Sequence, residues 1–191
     1  ESPERLKARE RHDAFHHHIL EENARLARVM RTGLRASVPS AEAAPSGPSQ
    51  AVLASPAVNS TKTWVDTSAG GAGTAYATTA KAVCAVAGGR NAVFWVDPAA
   101  LASGKVTDSN ISAMVNAACG AQGGFVKLVA LLGDAWGTHR YSNLISDALS
   151  LQDINIAIVD VPSSAGCAGY FSGRNNYKKS SISNSNEALV F

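Results

Sequence analysis

The sequence predicts an α+β protein, in which a long charged amino-terminal helix and a Pro-rich linker precede a mixed sheet with one or two packed helices. Three observations support this prediction. Of the 32 Asp, Glu, Lys and Arg residues, 14 lie within the first 35 positions, which favours a solvated helix. Four prolines follow within residues 36–58. Beyond residue 60, β-branched and aromatic runs alternate with apolar segments of helical spacing.

Residues 1–35 are predicted to form a single helix. Ser2 is the expected N-cap, and Pro3 occupies the first turn, where its missing N–H costs no hydrogen bond. One apolar stripe with polar interruptions follows steps of three or four residues, at Ala8, His12, Phe15, Ile19, Asn23, Leu26 and Met30. Because the helix is too charged for a core, we expect it to lie on the body or to pack against a partner helix.

Residues 36–60 are predicted to be a linker. Proline removes helix hydrogen bonds and biases the preceding residue towards extended geometry, and most of the other residues here are Ala and Ser. We therefore expect this segment to be mobile or to run across the surface. Residues 61–191 form the predicted α+β body.

The body contains five predicted strands, the second of mixed character, and two predicted helices. Asp108 and Ser109 open the first helix, and Gly133 suits the C-terminal cap of the second. The last strand stops at Phe191 after three apolar residues, so we expect the chain to be a fragment of a larger protein. The predicted strands are 61–66, 74–86, 91–97, 154–160 and 187–191, and the predicted helices are 108–118 and 125–132.

Composition excludes several classes of protein. A net charge of +2 is too small for the strong field of a dedicated nucleic-acid binder, and 46% hydrophobic residues exclude global disorder. No stretch approaches the roughly 18 uncharged apolar residues of a membrane span. The body is rich in Ala, Ser, Gly, Asn and Thr and poor in Lys, which is typical of a secreted or periplasmic bacterial protein. No signal peptide is recognisable after Glu1, so we expect a removed leader or a trimmed start.

The chain has three cysteines, Cys84, Cys119 and Cys167. All three are candidates for a disulfide. An odd count permits one disulfide with one free thiol, or one bond to a residue outside the chain, and the sequence leaves the pairing open. None of them forms a C-x-x-C pair, which excludes a zinc ribbon.

Three local patterns carry possible chemistry. The first is His12-Asp13-Ala14-Phe15-His16, whose two histidines have the spacing that lets neighbouring turns of a helix share a metal. It has Asp where a zinc-peptidase motif has Glu, lies on a charged helix and lacks a third ligand. We therefore interpret it as a solvated helix face, although His17 and His18 extend it into a short run able to bind metal adventitiously.

The other two patterns concern nucleophiles. Asp134, His139 and Ser142 lie within ten positions, but triad members usually come from separate loops and no G-x-S-x-G elbow is present. An ordered loop is the preferred interpretation. Cys167 could act as a thiol nucleophile with His139, but no thiol-protease signature surrounds it. A disulfide or a small buried cysteine is preferred there.

The order of motifs from about residue 61 to 191 resembles the front half of the hyicolysin-like zinc metallopeptidases, which are zincins. This resemblance implies an upper zincin-like subdomain and a zinc cofactor. The metal ligands would belong to an H-E-x-x-H helix beyond Phe191, so no catalytic residue and no metal ligand is transferred to this chain. Glu187 and Leu189 would border the substrate cleft, by the logic of strand addition. The matching segments are 63–66, 93–97, 131–137, 154–160, 168–171, 175–177 and 185–191.

The leading functional prediction is therefore the amino-terminal portion of a secreted zinc-dependent endopeptidase, inactive by itself. Its expected partners are the remaining carboxy-terminal part of the protein and a peptide or protein substrate, without nucleic acid. The alternative is a non-enzymatic secreted binding module, with the helix 3–35 docking a partner. A third hypothesis is a small hydrolase that uses Cys167 or Ser142 with His139.

Overall fold

The computed structural model describes residues 2–36, 55–67, 72–86, 90–133, 135–136, 141–145, 153–161 and 169–190, with residues 29–36 as main chain only. Ten elements follow one another along these residues. Five are strands, four are α-helices and one is a 3₁₀ turn. In chain order they are α1 (Pro3–Ala36), β1 (Thr61–Asp66), β2 (Thr74–Ala85), β3 (Asn91–Val96), α2 (Pro98–Ala102), α3 (Asp108–Cys119), α4 (Gly124–Leu132), β4 (Ile154–Ile158), the 3₁₀ turn (Gly173–Asn176) and β5 (Leu189–Val190).

The five strands form one curled mixed sheet in the order β1-β2-β3-β4-β5. The first three strands are antiparallel neighbours, and β3, β4 and β5 run parallel to one another. Parallel neighbours need a long crossover, and the chain between β3 and β4 contains all three short helices. The predicted α+β class, with an amino-terminal helix and a mixed sheet with packed helices, is confirmed.

Helix α1 begins as the sequence predicts and lies on the body. The main-chain N–H of Arg5 donates to Ser2 Oγ at 3.4 Å, which is the expected capping contact. Three side chains of the apolar stripe, Phe15, Ile19 and Leu26, are buried, whereas most others before Leu26 are exposed. The apolar stripe of α1 therefore packs against the body of the same chain.

Only the end of the predicted linker, residues 55–60, lies in the described part of the chain. There the N–H of Asn59 donates to the carbonyl of Ala80 at 2.8 Å, and the N–H of Ala80 donates to the carbonyl of Ser60 at 2.8 Å. These bonds extend the β1–β2 ladder backwards from Thr61. The predicted boundary at residue 60 is thus already inside a hydrogen-bonded segment, and the Pro-rich residues 37–54 lie outside the described residues.

Each face of the sheet buries its own apolar cluster. Strand β3 contributes to both clusters, which explains why its sequence is continuously apolar instead of alternating. Helices α3 and α4 cover one face, where they pack on Phe94 and Ile154 through Met114, Val115 and Phe125. The opposite face holds a second cluster whose buried members are Trp64, Ala80, Val93, Trp95, Ala188 and Val190.

Two elements were not predicted. Asp97 follows β3 directly and caps α2, because its carboxylate Oδ1 accepts the N–H of Ala99 at 2.8 Å and Pro98 comes next. The Asp-Pro signal was therefore present in the sequence. The 3₁₀ turn Gly173–Asn176 lacks such a clear signal, although Ser172 Oγ accepts the N–H of Arg174 at 3.4 Å. Strand β5 is shorter than predicted, with two residues.

One segment, Asp108–Leu132, is long and apolar enough by length and composition to cross a membrane. Its Ala, Val and Leu residues raise the mean hydropathy despite the polar residues between them. Length and composition alone do not test the expectation that the chain lacks a membrane span. The structure divides this segment at residues 120–123 into helices of 12 and 9 residues. Each is shorter than the roughly 20 residues that a spanning helix requires, and a disulfide ties the first to β2.

Candidate functional site

A largely apolar cavity of about 620 Å³ is the candidate site. It opens where the end of β1, strand β4 and the segment 169–175 approach one another. Val65 and Asp66 contribute the end of β1, and Ile156 and Ile158 contribute β4. The remaining lining residues are Trp64, Tyr76, Met114, Ala157, Val159, Val161, Gly169, Tyr170, Phe171, Asn175, Asn186 and Val190.

Asn186 joins the first strand of the sheet to the segment that leads into the last. Its side-chain Oδ1 accepts the N–H of Val65 at 2.8 Å, and its Nδ2 donates to the carbonyl of Val65 at 2.9 Å. Nδ2 also donates to Asn175 Oδ1 at 2.8 Å. One amide thus satisfies both main-chain groups of Val65 and links the end of β1 to the segment before β5.

A buried polar network fixes β5 against β4. The indole Nε1 of Trp95 donates to Asn155 Oδ1 at 2.9 Å, and Asn155 Nδ2 donates to the carbonyl of Leu189 at 3.1 Å. Because a buried amide without partners costs free energy, this network favours a single register for β5. Trp64 then packs edge-on against Trp95, with ring centroids 5.7 Å apart.

The opposite wall of the cavity is connected to α1. The hydroxyl of Tyr170 donates to Asp66 Oδ1, and the ring of Phe15 meets the Tyr170 ring edge-on at 5.6 Å. On strand β2, burial raises the pKa of Tyr76, and the carboxylates of Asp66, Asp97 and Asp160 raise it further. The Tyr76 hydroxyl is therefore neutral at neutral pH.

A polar anchor holds α1 to the 3₁₀ turn. Arg174 Nε donates to Glu22 Oε1 at 2.9 Å, and its Nη2 contacts the same oxygen, while both side chains are mostly buried. Asn23 Oδ1 accepts the N–H of Gly173 at 2.9 Å. The helix is thus bound specifically to the segment that lines the cavity, and not merely by apolar contact.

The predicted substrate-binding residues lie beside the cavity. Glu187 and Leu189 fall between the two lining residues Asn186 and Val190. Glu187 is exposed, has a φ of 50° and accepts the N–H of Lys179 at 2.7 Å. The side chain of Leu189 is only 4% exposed and belongs to the core. Their role in binding substrate stays a prediction.

The other predicted residues are not gathered at this cavity. His12, Asp13 and His16 lie on the exposed side of α1, and Ser142 is exposed in a turn. Asp134, His139 and Cys167 lie outside the described residues. In the part of the chain that the structure describes, no group of three or more His, Cys, Asp or Glu side chains could hold a metal ion.

Cys84 on β2 and Cys119 at the end of α3 form a disulfide that spans 35 positions in sequence. The sequence left this pairing open, because spacing alone does not show which thiols meet in space. The bond crosses from the sheet to the helix layer and so fixes α3 over β2 and β3. The polar residues that shape the site, Asn155, Tyr170 and Asn186, were not predicted either, since each acts on a strand distant in sequence.

Comparison with known proteins identifies the family. The model of the Peptidase M30 family matches residues 72–191, which include β2 to β5, all three short helices and most of the cavity lining. No curated protein and no solved structure matches the chain. The match covers more than half of the sequence and supports the resemblance to hyicolysin-like peptidases. The chain belongs to the Peptidase M30 family.

Proposed function

We propose that this chain is the amino-terminal portion of a secreted, zinc-dependent endopeptidase whose metal ligands lie beyond Phe191. The observation that carries the proposal is the Peptidase M30 match over residues 72–191, which includes four of the five strands of the mixed sheet and most of the cavity lining. The remaining carboxy-terminal part of the protein and a peptide or protein substrate are its proposed partners. Nucleic acid is not proposed as a partner, because the net charge is only +2.

The described residues do not fit the catalytic zinc site of a peptidase, because they contain no group of three suitable ligands. No catalytic step through a metal is therefore assigned to this chain. Its own contribution is to build and rigidify one wall of a cleft. The network from Trp95 through Asn155 to Leu189 fixes β5, and Asn186 fixes the edge of β1.

Substrate is proposed to bind as an extended peptide along this wall. An extended peptide gains affinity from main-chain hydrogen bonds to a strand and specificity from pockets for its side chains. The apolar cavity would take an apolar side chain, with the exposed Glu187 and the β5 residue Leu189 lying between the lining residues Asn186 and Val190.

A secreted or periplasmic location is supported by the disulfide between Cys84 and Cys119. Disulfides persist in oxidising compartments and are rare in the cytosol of most organisms. The Lys-poor, Ala- and Ser-rich body has the composition of an exported bacterial protein.

An assay on two proteins distinguishes this proposal from the alternative functions. The 191-residue chain and the longer product of the same gene are each incubated with casein and zinc, with and without a chelator. We expect the longer product to cleave casein in a chelator-sensitive manner, while the 191-residue chain is inactive. Zinc-dependent caseinolysis by the 191-residue chain alone would overturn the proposal, and so would an inactive longer product without an H-E-x-x-H helix.

The alternative is a non-enzymatic binding module in which α1 docks a partner. This alternative requires a free apolar face on α1, but Phe15, Ile19 and Leu26 are buried against the body. Thiol hydrolysis is tested by Cys167→Ala in the longer product, since retained activity removes that hypothesis.

A further inference from the structure

The exposed side of α1 brings two histidine nitrogens together. His12 and His16 are one turn apart, and their Nε2 atoms lie 3.1 Å from each other. The ring centroids are 4.3 Å apart with the ring planes tilted by 55°, and the Nε2–H of one imidazole can donate to the Nε2 of the other. Both residues are exposed.

We propose that His12 and His16 form a chelating site for a divalent transition-metal ion such as Zn²⁺, separate from the family's catalytic metal. Two nitrogens 3.1 Å apart, each about 2.05 Å from a shared ion, subtend an angle of about 98° at that ion. This value lies between those of octahedral and tetrahedral coordination. Imidazole is a suitable ligand for zinc, nickel and copper.

The environment of His12 supports ligation through Nε2. Its other ring nitrogen, Nδ1, lies 3.4 Å from Asp13 Oδ1. A carboxylate that accepts from Nδ1–H fixes the tautomer with a free Nε2 lone pair and orients the ring, which is a common arrangement behind metal-binding histidines. Asp13 is therefore a positioning residue, and water completes the coordination because the site is exposed.

The neighbouring histidines do not share this arrangement. His17 Nε2 contacts Glu21 Oε1 at 3.0 Å, one turn further along the helix. His17 and His18 are equally exposed and lie on the same helix. They are matched controls, because removing either one changes the histidine count without breaking the His12–His16 pair.

The site lies outside the residues that match the peptidase family, since that match begins at residue 72. Its role is therefore independent of the proposed protease function. Phe15 is the first buried residue of α1, so the turns before it have no core contacts. An ion that bridges His12 and His16 would stabilise this exposed part of the helix by linking adjacent turns.

The test is a calorimetric titration of the full 191-residue chain with Zn²⁺, prepared without a histidine tag and with free thiol alkylated. We expect one ion per chain. His12→Gln and His16→Gln should each weaken binding at least tenfold, whereas His17→Gln and His18→Gln should change it less than twofold. Zinc should also slow amide exchange in residues 8–18 of the wild-type chain and not of His16→Gln.

A relocation variant tests the geometry itself. Ala8 is exposed and precedes His12 by four positions, so Ala8→His combined with His16→Gln recreates an equally spaced pair. We expect this double variant to recover most of the lost affinity, with the far-UV spectrum unchanged in every variant. Absence of binding at millimolar zinc, equal losses in the His17 or His18 variants, or failure of the relocated pair would each overturn the proposal.

Discussion

Asn186 satisfies both main-chain groups of Val65 with a single side-chain amide, 121 positions away in sequence. The amide takes the place that a peptide group of a neighbouring strand would occupy. It also donates to Asn175, so the edge of β1, the 3₁₀ turn and the approach to β5 share one hydrogen-bonded residue. The cavity wall depends on this residue because all three segments line the cavity.

Asn186→Ala should lower the free energy of unfolding by about 1–3 kcal/mol, because it leaves partly buried main-chain groups of Val65 without partners. Urea titration measures the loss, and hydrogen exchange should show faster exchange of the Val65 amide. Asn116→Ala, an exposed substitution on α3, serves as the control and should stay within about 0.5 kcal/mol of the wild type. Equal effects of the two substitutions would contradict this account.

Arg174→Met should release α1 from the body, because it leaves the mostly buried carboxylate of Glu22 without its guanidinium partner. Hydrogen bonds to charged groups contribute about 1.5–3 kcal/mol. Hydrogen exchange should therefore show that the opening free energy of the amides in residues 15–26 falls by about that amount. Glu21→Gln is a matched control, since Glu21 is exposed and its carboxylate contacts His17 on the same helix. Unchanged protection in Arg174→Met would show that apolar contacts alone hold the helix.

Removal of the disulfide should cost about 4 kcal/mol, because closing a loop of this length restricts the unfolded chain by roughly that amount. The double variant Cys84→Ser/Cys119→Ser is compared with the wild type by urea titration. Peptide mapping without reduction should identify a cross-linked pair that contains Cys84 and Cys119. A cross-link that contains Cys167 instead would show that the pairing is wrong.

Tyr177 should make stability fall at alkaline pH. Burial raises the pKa of its hydroxyl above 10.0, and Arg25 opposes this rise in part. Below pH 10.0 the hydroxyl is neutral in both states, so its contribution is fully present. Above pH 10.0 the unfolded state ionises first, and the contribution is lost as pH rises towards the folded-state pKa.

The measurement is the free energy of unfolding at pH 8, 10 and 11 for the wild type and Tyr177→Phe. Phenylalanine does not ionise, so the variant should lose less stability across this range. The hydroxyl is 3.4 Å from the carbonyl of Leu26, a long contact whose removal should have a small effect at pH 8. Identical slopes for the two proteins would rule out a role for Tyr177 in the alkaline loss.

The sequence by itself determined the local elements. Residues 61–66 form β1 as predicted, and Gly133 ends α4 with a φ of 84° in the position of the predicted cap. The N-cap contact of Ser2 and the continuously apolar strand β3 were also foreseen, since each depends on residues close in sequence. The functional prediction came from the family resemblance, and the motifs of that resemblance are also local in sequence.

Only the tertiary structure decided how distant residues meet. The pairing of Cys84 with Cys119, the contact of Asn186 with Val65 and the anchoring of α1 by Arg174 join segments that are 35 to 152 positions apart. No local pattern encodes such a contact, because it depends on which strand edges and helix faces become neighbours when the core packs. For the same reason, His12 and His16 had the right spacing in sequence, but only the structure placed their two nitrogens 3.1 Å apart.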